Sequence, residues 1–339
     1  MPENLFWYHK VSSAELARAS VDKDILILAV AAPENHGPHL PLGTDEILGE
    51  AMAERLGRRL AERYPNRRVW LHPTWHLGGA TIRGTGSVKV PSRILRKTLK
   101  HYMRRFLKQG FTHFVFLTGH GAVPHVGALD DVCAWLRRRS RPGRVVHAIS
   151  PSSRIGGKVF FGRHANAVRR AGIELSDQEA RDLCWDLHAG RVETSMVLAA
   201  APETVAPIYR ELPVIQPPSR WWLNGLERLF ESAVRRIVRD EDIRQDVLHA
   251  LWAGVQDFSW ILRGRREGYV GMPHRASAAE GEILLDEITA DIATVTADVF
   301  AGRRDPATTR SGAHLFRGLI AALALLIAGG LAGVAWWLF

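Results

Sequence analysis

Five side chains that commonly bind metal ions are crowded into thirteen residues of one loop-like segment. They are Glu34, His36, His39, Asp45 and Glu46. Carboxylates and imidazoles together suit zinc, manganese or iron, and one carboxylate can bridge two ions. The prolines and glycines between them stiffen the chain and permit tight turns, so that the side chains can converge. The same residue types also serve in turns and caps, so Asp45 could instead cap a helix beginning near Glu46.

Two later segments carry further candidates for the same chemistry. His120 lies in TGHGAVPH, and His188 and Glu193 lie in HAGRVETSMVLA. A divalent metal lowers the pKa of bound water toward about 7, which makes hydroxide available near neutral pH. A nearby histidine could then carry a proton to the leaving nitrogen of an amide. The sequence contains no Gly-x-Ser-x-Gly motif and no P-loop, which argues against a serine hydrolase and a P-loop NTPase.

Apolar runs and amphipathic stretches alternate along the first 150 residues. The run from Ile25 to Ala32 is typical of a strand covered on both faces, and shorter strands are predicted at 69–71, 113–117 and 145–149. Helical periodicity lies between them, at positions Ile47 to Leu60, 92–108 and 124–138. This alternation predicts an α/β fold with a mainly parallel sheet flanked by helices.

The predicted sheet tells where the candidate ligands should meet. In such folds the ligand site lies beyond the carboxyl ends of the strands. The loop with Glu34 follows the first long strand, and the loop with His120 follows the strand at 113–117. Both loops are therefore expected at the same edge of the sheet.

The segment PENHGPHLPLGTD resembles the signature of the creatininase family, Glu-x-His-Gly-x-His-Leu-Pro-x-x-Thr/Ser-Asp. The resemblance continues in family order through RGTGSVKV (83–90), TGHG (118–121), HAGRVETS (188–195) and GYVGMPHRASAAEGE (268–282). It implies a three-layer α/β/α hydrolase domain over residues 1–300, a two-metal site, and hydrolysis of a C–N bond, often in a cyclic amide. The implied cofactor is a pair of divalent transition metals, zinc, manganese or iron.

Individual roles follow from the resemblance by matching positions. It implies that Glu34 and His120 bind one metal, that His36 binds the other, and that Asp45 bridges them. His188 corresponds to the family histidine that handles the proton.

The chain departs from the family pattern directly after His120. Creatininase carries a glutamate two residues after this histidine, where this chain has Ala122. An alanine cannot coordinate a metal, so creatinine itself is not the expected substrate. Glu193 is expected to complete the second metal site, with a catalytic role beside His188; otherwise the second metal binds weakly.

The net charge of +10 comes mostly from arginine. The clusters 67–68, 137–139 and 303–304 are not interleaved with aromatic residues as in known RNA- or DNA-binding modules, so no nucleic-acid partner is expected. Solvated helix faces or attraction to anionic lipid explain them more simply. Cys133 and Cys184 are the only cysteines, which excludes a disulfide framework and fits a reducing compartment.

The C-terminal stretch 318–339 carries no charge over 22 residues. As a helix it would span about 33 Å, enough for a hydrocarbon core of about 30 Å. Four arginines precede it, and Trp336 and Trp337 suit an interfacial belt. We therefore predict a transmembrane helix at 315–339, reached by a linker at 301–314. It would form a single-pass anchor in the cell (inner) membrane, with the catalytic domain in the cytoplasm. A buried C-terminal helix is the alternative.

Residues 213–263 are predicted as a helical insertion because two apolar stripes flank a charged step at Arg239 to Asp242. Packing as a cap, oligomer contact and docking to a membrane surface all remain open for it. The resemblance implies a homo-oligomer, and Gly329-x-x-x-Gly333 could let two tails pack closely.

Together these features predict a membrane-anchored, metal-dependent amidohydrolase. It would cleave a C–N bond of a small amide, cyclic in some family members, by metal-bound hydroxide. A peptidase or deformylase of the same family is the alternative, because substrate-contacting loops vary most and the sequence does not separate these activities. A third hypothesis is a non-catalytic membrane scaffold that keeps the fold; Ala122 favours it, and the other ligand residues oppose it.

Overall fold

The computed structural model describes residues 2–17, 21–152, 155–156, 165–183, 186, 188–216, 232, 234–236, 244, 267–311 and 313. The strands are β1 (Leu5–Trp7), β2 (Ile25–Ala31), β3 (Val69–His76), β4 (His113–Leu117) and β5 (His147–Ile149). The helices are α1 (Ser13–Ala17), α2 (Thr44–Arg63), α3 (Ser92–Gln109), α4 (Val123–Arg137), α5 (Ala165–Arg170), α6 (Asp177–Asp182), α7 (Arg191–Ala200) and α8 (Ala278–Phe300).

All five strands run parallel in the order β1-β3-β2-β4-β5. The central strand β2 pairs with β3 on one side and with β4 on the other, and Ile25 is in register with both Val69 and His113. The predicted parallel sheet is confirmed. Because the chain leaves β2 for β3 and then returns to the far side of β2, the strand order reverses beside β2. In open parallel sheets this is where ligand sites form.

Side chains of β2 alternate between two helical layers, since successive residues of a strand point to opposite faces. Ile25, Ile27 and Ala29 join a buried cluster that includes residues of α2, α7 and α8. Leu26 and Leu28 join a second cluster with residues of α3 and α4. The domain therefore has the expected three layers, α/β/α.

Helix α8 crosses α7 at unusually close range. A side chain at Gly281 of α8 would overlap the backbone carbonyl of Ser195 on α7. Next to the crossing, the buried guanidinium of Arg191 donates from Nε to Glu280 Oε2 over 2.8 Å. Ser277 caps α8 by accepting from the backbone N–H of Glu280. These contacts hold α7, the helix that carries Glu193, in a fixed position.

The chain after α8 packs against the domain for several residues. A 3-10 turn spans Pro306–Thr309, and the backbone N–H and hydroxyl of Ser311 both donate to the buried carboxylate of Asp130 on α4. The first part of the segment predicted as the linker 301–314 is thus attached to the domain through α4.

Two predicted segments fall mainly outside the described residues. Of the helical insertion 213–263, the structure describes 213–216, 232, 234–236 and 244. The predicted transmembrane helix 315–339 lies wholly outside them. Among the residues that the structure does describe, no helix combines the length and the apolar character needed to cross a membrane.

Candidate metal centre

Six predicted site residues meet at the carboxyl edge of the sheet, beside the point where the strand order reverses. Two come from the loop after β2, one from the first turn of α2, one from the loop after β4, and two from the loop before α7 and its first turn. All six side chains are buried: Glu34, His36, Asp45, His120, His188 and Glu193. The strand ends and helix starts therefore bring together what the sequence separates by about 160 residues.

The first potential ligand group contains Glu34, Asp45 and His120. His120 Nδ1 lies 2.9 Å from Glu34 Oε2 and 3.0 Å from Asp45 Oδ2. The three ligand atoms lie within 4.8 Å of one another, so one ion could contact them all.

The second group contains His36, Asp45 and Glu193. His36 Nε2 is 3.5 Å from Asp45 Oδ1 and 3.9 Å from Glu193 Oε2. Asp45 thus offers one oxygen to each group, which is the arrangement of a carboxylate that bridges two ions. The structure brings together the five residues predicted as ligands, while their assignment to particular ions stays a prediction.

His188 lies at the edge of both groups. Its Nε2 is 2.8 Å from the carbonyl oxygen of Asn35, and its ring centroid is 4.3 Å from that of His36. Glu34, His36 and His188 also form a third set of converging ligand atoms. The position suits either a proton-handling residue or a metal ligand.

Two buried polar atoms in the centre lack a hydrogen-bond partner. They are His36 Nε2 and Asp45 Oδ2; the latter lies near His120 without hydrogen-bond geometry. A buried polar atom left unsatisfied costs about 1–3 kcal/mol. Since an imidazole nitrogen and a carboxylate oxygen are both metal-binding atoms, a cation between them would remove this cost. The donor set therefore fits a divalent transition metal.

The electrostatics of the centre also favour bound cations. Burial disfavours a charged imidazole, yet the carboxylates of Asp45 and Glu193 outweigh it and raise the pKa of His36 to about 9. Burial likewise opposes a charged His120, but Asp45 and Glu34 raise the pKa of His120 well above its usual value. The carboxylates thus attract positive charge strongly enough to hold protons on two buried imidazoles. Metal ions would replace those protons.

Two strained alanines support the ligands through their backbones. Among the described residues, Ala80 (φ 64°) and Ala189 (φ 49°) are the only non-glycine residues with positive φ, a conformation that costs about 1–3 kcal/mol. The carbonyl of Ala80 accepts from His120 Nε2 over 2.6 Å, which leaves Nδ1 of His120 directed at the carboxylates. The N–H of Ala189 donates to Glu193 Oε2 over 2.6 Å. Backbone strain is thus concentrated at the metal centre.

Two residues that the spacing offered as ligands lie in none of the three groups. His39 Nε2 is 3.1 Å from the carbonyl of Ala189 and 3.0 Å from Thr194 Oγ1, so its ring supports the turn that holds Glu193. Burial lowers the pKa of His39 to about 4, which keeps it neutral. Glu46 instead pairs with His76 Nδ1 at 2.6 Å.

The glycine-rich blocks of the sequence pack around the loop that carries the ligands. A side chain at Gly119 would overlap the backbone of Asp45, and one at Gly84 or Gly268 would overlap the side chain of Asn35. These glycines let three distant segments approach the ligand loop. Asn35 was not singled out from the sequence; its position between two ligands was the available signal.

Comparison with known proteins gives a family match over most of the chain. The model of the creatininase family, described as creatinine amidohydrolase, matches residues 9–296. A mycofactocin precursor peptide peptidase from Mycobacterium tuberculosis (strain ATCC 25618 / H37Rv) is 27% identical over 236 residues, covering 66% of this chain and 79% of that protein. The same-named protein of Mycobacterium ulcerans (strain Agy99) is 27% identical over 188 residues, and the match spans 60% of its length and 53% of this chain.

Solved structures of creatininase share the fold. A manganese form has a TM-score of 0.55 and a mutant of Zn-Zn type has a TM-score of 0.54. Each is 18% identical in sequence, and each alignment covers 86% of this chain and 97% of the other chain. At this identity the likeness concerns the fold.

Proposed function

Because this chain belongs to the creatininase family of hydrolases, we propose that it cleaves the C–N bond of an amide with the help of two divalent metal ions. The observation that carries the proposal is the sharing of Asp45 between two buried ligand groups. Glu34, Asp45 and His120 would hold one ion, and His36, Asp45 and Glu193 the other. Zinc and manganese suit this mixture of imidazole and carboxylate ligands, and the related creatininase structures include forms with each.

The chemistry that the metals supply is the activation of water near neutral pH and the polarisation of the amide carbonyl. Residues of this chain keep the ligands ionised and correctly oriented. Asp45 and Glu34 stay ionised despite burial: His36 and His120 hold the pKa of Asp45 below its usual range, and His120 does the same for Glu34. The carbonyls of Ala80 and Asn35 fix the orientation of His120 and His188.

His188 is placed to move the proton. Burial, together with the nearby His36, lowers the pKa of His188 to about 4, so the imidazole is neutral at physiological pH. Because Nε2 donates to the carbonyl of Asn35, Nδ1 is the nitrogen that can accept a proton from the attacking water. The same atom then returns the proton to the leaving nitrogen. His188 thus acts first as a general base and then as a general acid.

Two substrate classes remain in the proposal. A small amide, cyclic in some relatives, follows from the resemblance to creatininase. The end of a peptide is the second candidate, favoured by the 27% identity to mycofactocin precursor peptide peptidases over 236 residues. A deformylase would act on a related bond. A non-catalytic scaffold is disfavoured, because a scaffold has no need for buried ligand atoms without partners.

We further propose that residues 315–339 anchor the chain in the cell (inner) membrane as a single-pass helix with the domain in the cytoplasm. Support comes from the charge-free stretch 318–339 and from the arginines that precede it. Contact with membrane lipid and a homo-oligomeric state belong to the same proposal. Extraction of the full chain by alkaline carbonate would contradict the anchor, and a monomeric mass in detergent would contradict the oligomer.

Activity of the full chain on a panel of cyclic amides, N-formyl compounds and short peptides tests the hydrolase and separates the substrate classes. We expect amide cleavage that disappears in a chelator and returns with zinc or manganese. Asp45→Ala should abolish it, whereas Asp291→Ala, an exposed aspartate of α8, should not. Metal-independent activity, or full activity of Asp45→Ala, would refute the mechanism.

A further inference from the structure

The solvent face of α3 carries charge of a single sign. The helix contains no aspartate or glutamate but has seven lysines and arginines and one histidine. Five of these cations are exposed, namely Arg93, Lys97, Arg104, Arg105 and Lys108. Long cationic side chains of one sign repel one another, so such a face is stabilised by an anionic partner.

Helix α2, in the opposite layer, serves as a comparison for the surface charge of a solvated helix in this domain. It mixes acidic with basic residues, and three of its four arginines have acidic partners. Arg58 pairs with Glu54 at 3.0 Å, Arg55 pairs with Glu282 at 2.6 Å, and Arg59 pairs with Asp286. On α3 the corresponding pair is Arg96 with Asp131 of α4. The contrast makes general solubility a poor explanation for the charge on α3.

The basic surface continues onto the C-terminal end of α4. The guanidiniums of Arg104 and Arg139 lie 5.5 and 4.4 Å from the ring of Trp135. Burial lowers the pKa of Lys100 of α3, and so does the positive charge of Arg96, Arg138 and Arg139. We call this surface, formed by α3 and residues 138–144, the basic face. Its cations lie close enough together to act on one extended anionic surface.

The chain after α8 crosses to the same layer. Phe300, the last residue of α8, packs on His147 of β5 with ring centroids 5.7 Å apart. The 3-10 turn then passes β5, and Ser311 is held by Asp130 of α4. The α8 layer and the α4 layer lie on opposite faces of the sheet. At Ser311 the chain has therefore reached the layer that carries the basic face, seven residues before the charge-free stretch that begins at Gly318.

We propose that the basic face lies against the anionic headgroups of the membrane in which the C-terminal tail is anchored. This inference rests on the anchor proposed above, which would bring this side of the domain to the membrane. Charge complementarity identifies anionic headgroups as the partner. Each cation near such a surface strengthens attraction about five-fold, so three cations change it on the order of a hundred-fold. Nucleic acid would also match the charge of the basic face, but it would not explain the charge-free C-terminal stretch 318–339.

The test places the full chain in lipid nanodiscs and measures energy transfer to a headgroup-attached acceptor. Donors are attached at Thr98→Cys on α3 or at Thr294→Cys on α8, two exposed threonines in opposite layers. A Cys184→Ser background without an added cysteine gives the blank, since Cys133 is buried. With phosphatidylglycerol present, transfer should be high at position 98 and low at position 294. Neutral phosphatidylcholine or high salt should reduce the signal at position 98.

Charge variants give the matched control. Replacing Arg93, Lys97 and Arg105 by Gln should lower transfer at position 98 to the value found in neutral discs. Replacing Arg58, Arg59 and Arg63 of α2 by Gln removes the same net charge and should leave it unchanged. Equal transfer at both positions, or a signal insensitive to lipid charge and to the α3 variant, would overturn the proposal. The proposal would also be overturned if the α3 variant lost binding to RNA but kept its contact with lipid.

Carbonate extraction followed by vesicle flotation tests the membrane anchor and the lipid contact of the basic face separately. If alkaline carbonate releases the full chain from the bilayer, the anchor is wrong. The released chain is then mixed with phosphatidylglycerol vesicles and floated. Binding that depends on Arg93, Lys97 and Arg105 would still support the basic face, and absence of binding would overturn it.

Discussion

At the scale of single residues, the metal centre illustrates how a buried charge cluster is made tolerable. Asp45, Glu34 and His120 are withdrawn from water, and each would be costly alone. Their mutual contacts of about 3 Å offset that cost in part, and the atoms left without partners point to an additional cation.

Replacing His188 by Gln should lower kcat by about 10²–10⁴-fold, the range typical of general acid–base catalysis. The bound metal should remain, because the two groups that share Asp45 do not include His188. Turnover and metal content of the folded variant are the measurements. Loss of one metal ion per chain would instead make His188 a ligand through its set with Glu34 and His36.

His113, at the opposite edge of the sheet, should make stability depend on pH. Burial, aided by His147 and Arg67, lowers the pKa of His113 to about 3. The unfolded chain, with a usual histidine pKa near 6.5, therefore binds this proton first as pH falls. The free energy of unfolding should be highest above about pH 6.5 and should decrease as pH falls toward about 3, by at most about 1.4 kcal/mol per pH unit for this group.

Urea unfolding at pH 7 and pH 5 measures this dependence. His113→Gln keeps a polar side chain but removes the titration, so it should show a smaller stability difference between the two pH values. The remaining difference comes from other buried histidines such as His125, whose pKa burial lowers to about 3. An unchanged difference in the variant would contradict the assignment.

At the scale of elements, the parallel sheet and most of its helices follow from periodicity. The amphipathic α3 has the helical period, and the continuous apolar run of β2 is of strand length and is followed by a Pro- and Gly-rich loop. Strand β1 has three residues, too few for any period to emerge. Helix α8 was not predicted, although Leu284, Ile288 and Ile292 recur at helical spacing.

Part of the metal site could also be predicted from the sequence. Glu34, His36 and Asp45 stand close together in sequence, and His120 follows a strand adjacent to theirs. The support from Ala80 and Ala189 could not be predicted, because it depends on positive φ values that tertiary contacts impose on alanine. A sequence shows which side chains can bind a metal more readily than which backbone groups orient them.

The crossing of α7 and α8 gives the prediction at this scale. Gly281→Ala should force the helices apart, since the added Cβ would overlap the backbone of Ser195. We expect a loss of stability of about 3 kcal/mol or more, together with weaker metal binding through displacement of Glu193.

Thermal unfolding and metal titration measure the two effects. Gly156→Ala is the control, because nothing lies within 4 Å of its added Cβ. Equal behaviour of the two variants would show that α7 does not depend on close approach to α8.

At the scale of the whole molecule, the segment after α8 links one face of the domain to the other. Asp130 is buried and accepts from both the backbone and the hydroxyl of Ser311. This attachment holds the chain on the α4 layer at Ser311, within the segment predicted as the linker 301–314.

Asp130→Ala should release this segment without disturbing the metal centre. Hydrogen exchange of the amides from 307 to 311 should become faster by about ten-fold or more, as expected when a charge-assisted hydrogen bond is lost. Asp131→Ala, which breaks a partly buried pair with Arg96 instead, is the matched control. Unchanged protection at 307–311 would show that other contacts hold the segment.

The sharing of Asp45 by two metal ions is tested most directly by counting metal in single-ligand variants. The wild-type chain should bind two ions. His120→Ala should lose one ion, His36→Ala should lose the other, and Asp45→Ala should lose both, while Asp291→Ala keeps two. Element-resolved mass analysis gives the count, and anomalous diffraction locates each ion. Two ions on either side of Asp45 are the predicted result. A chain without stoichiometric metal, or an Asp45→Ala variant that retains both ions, would contradict the assignment.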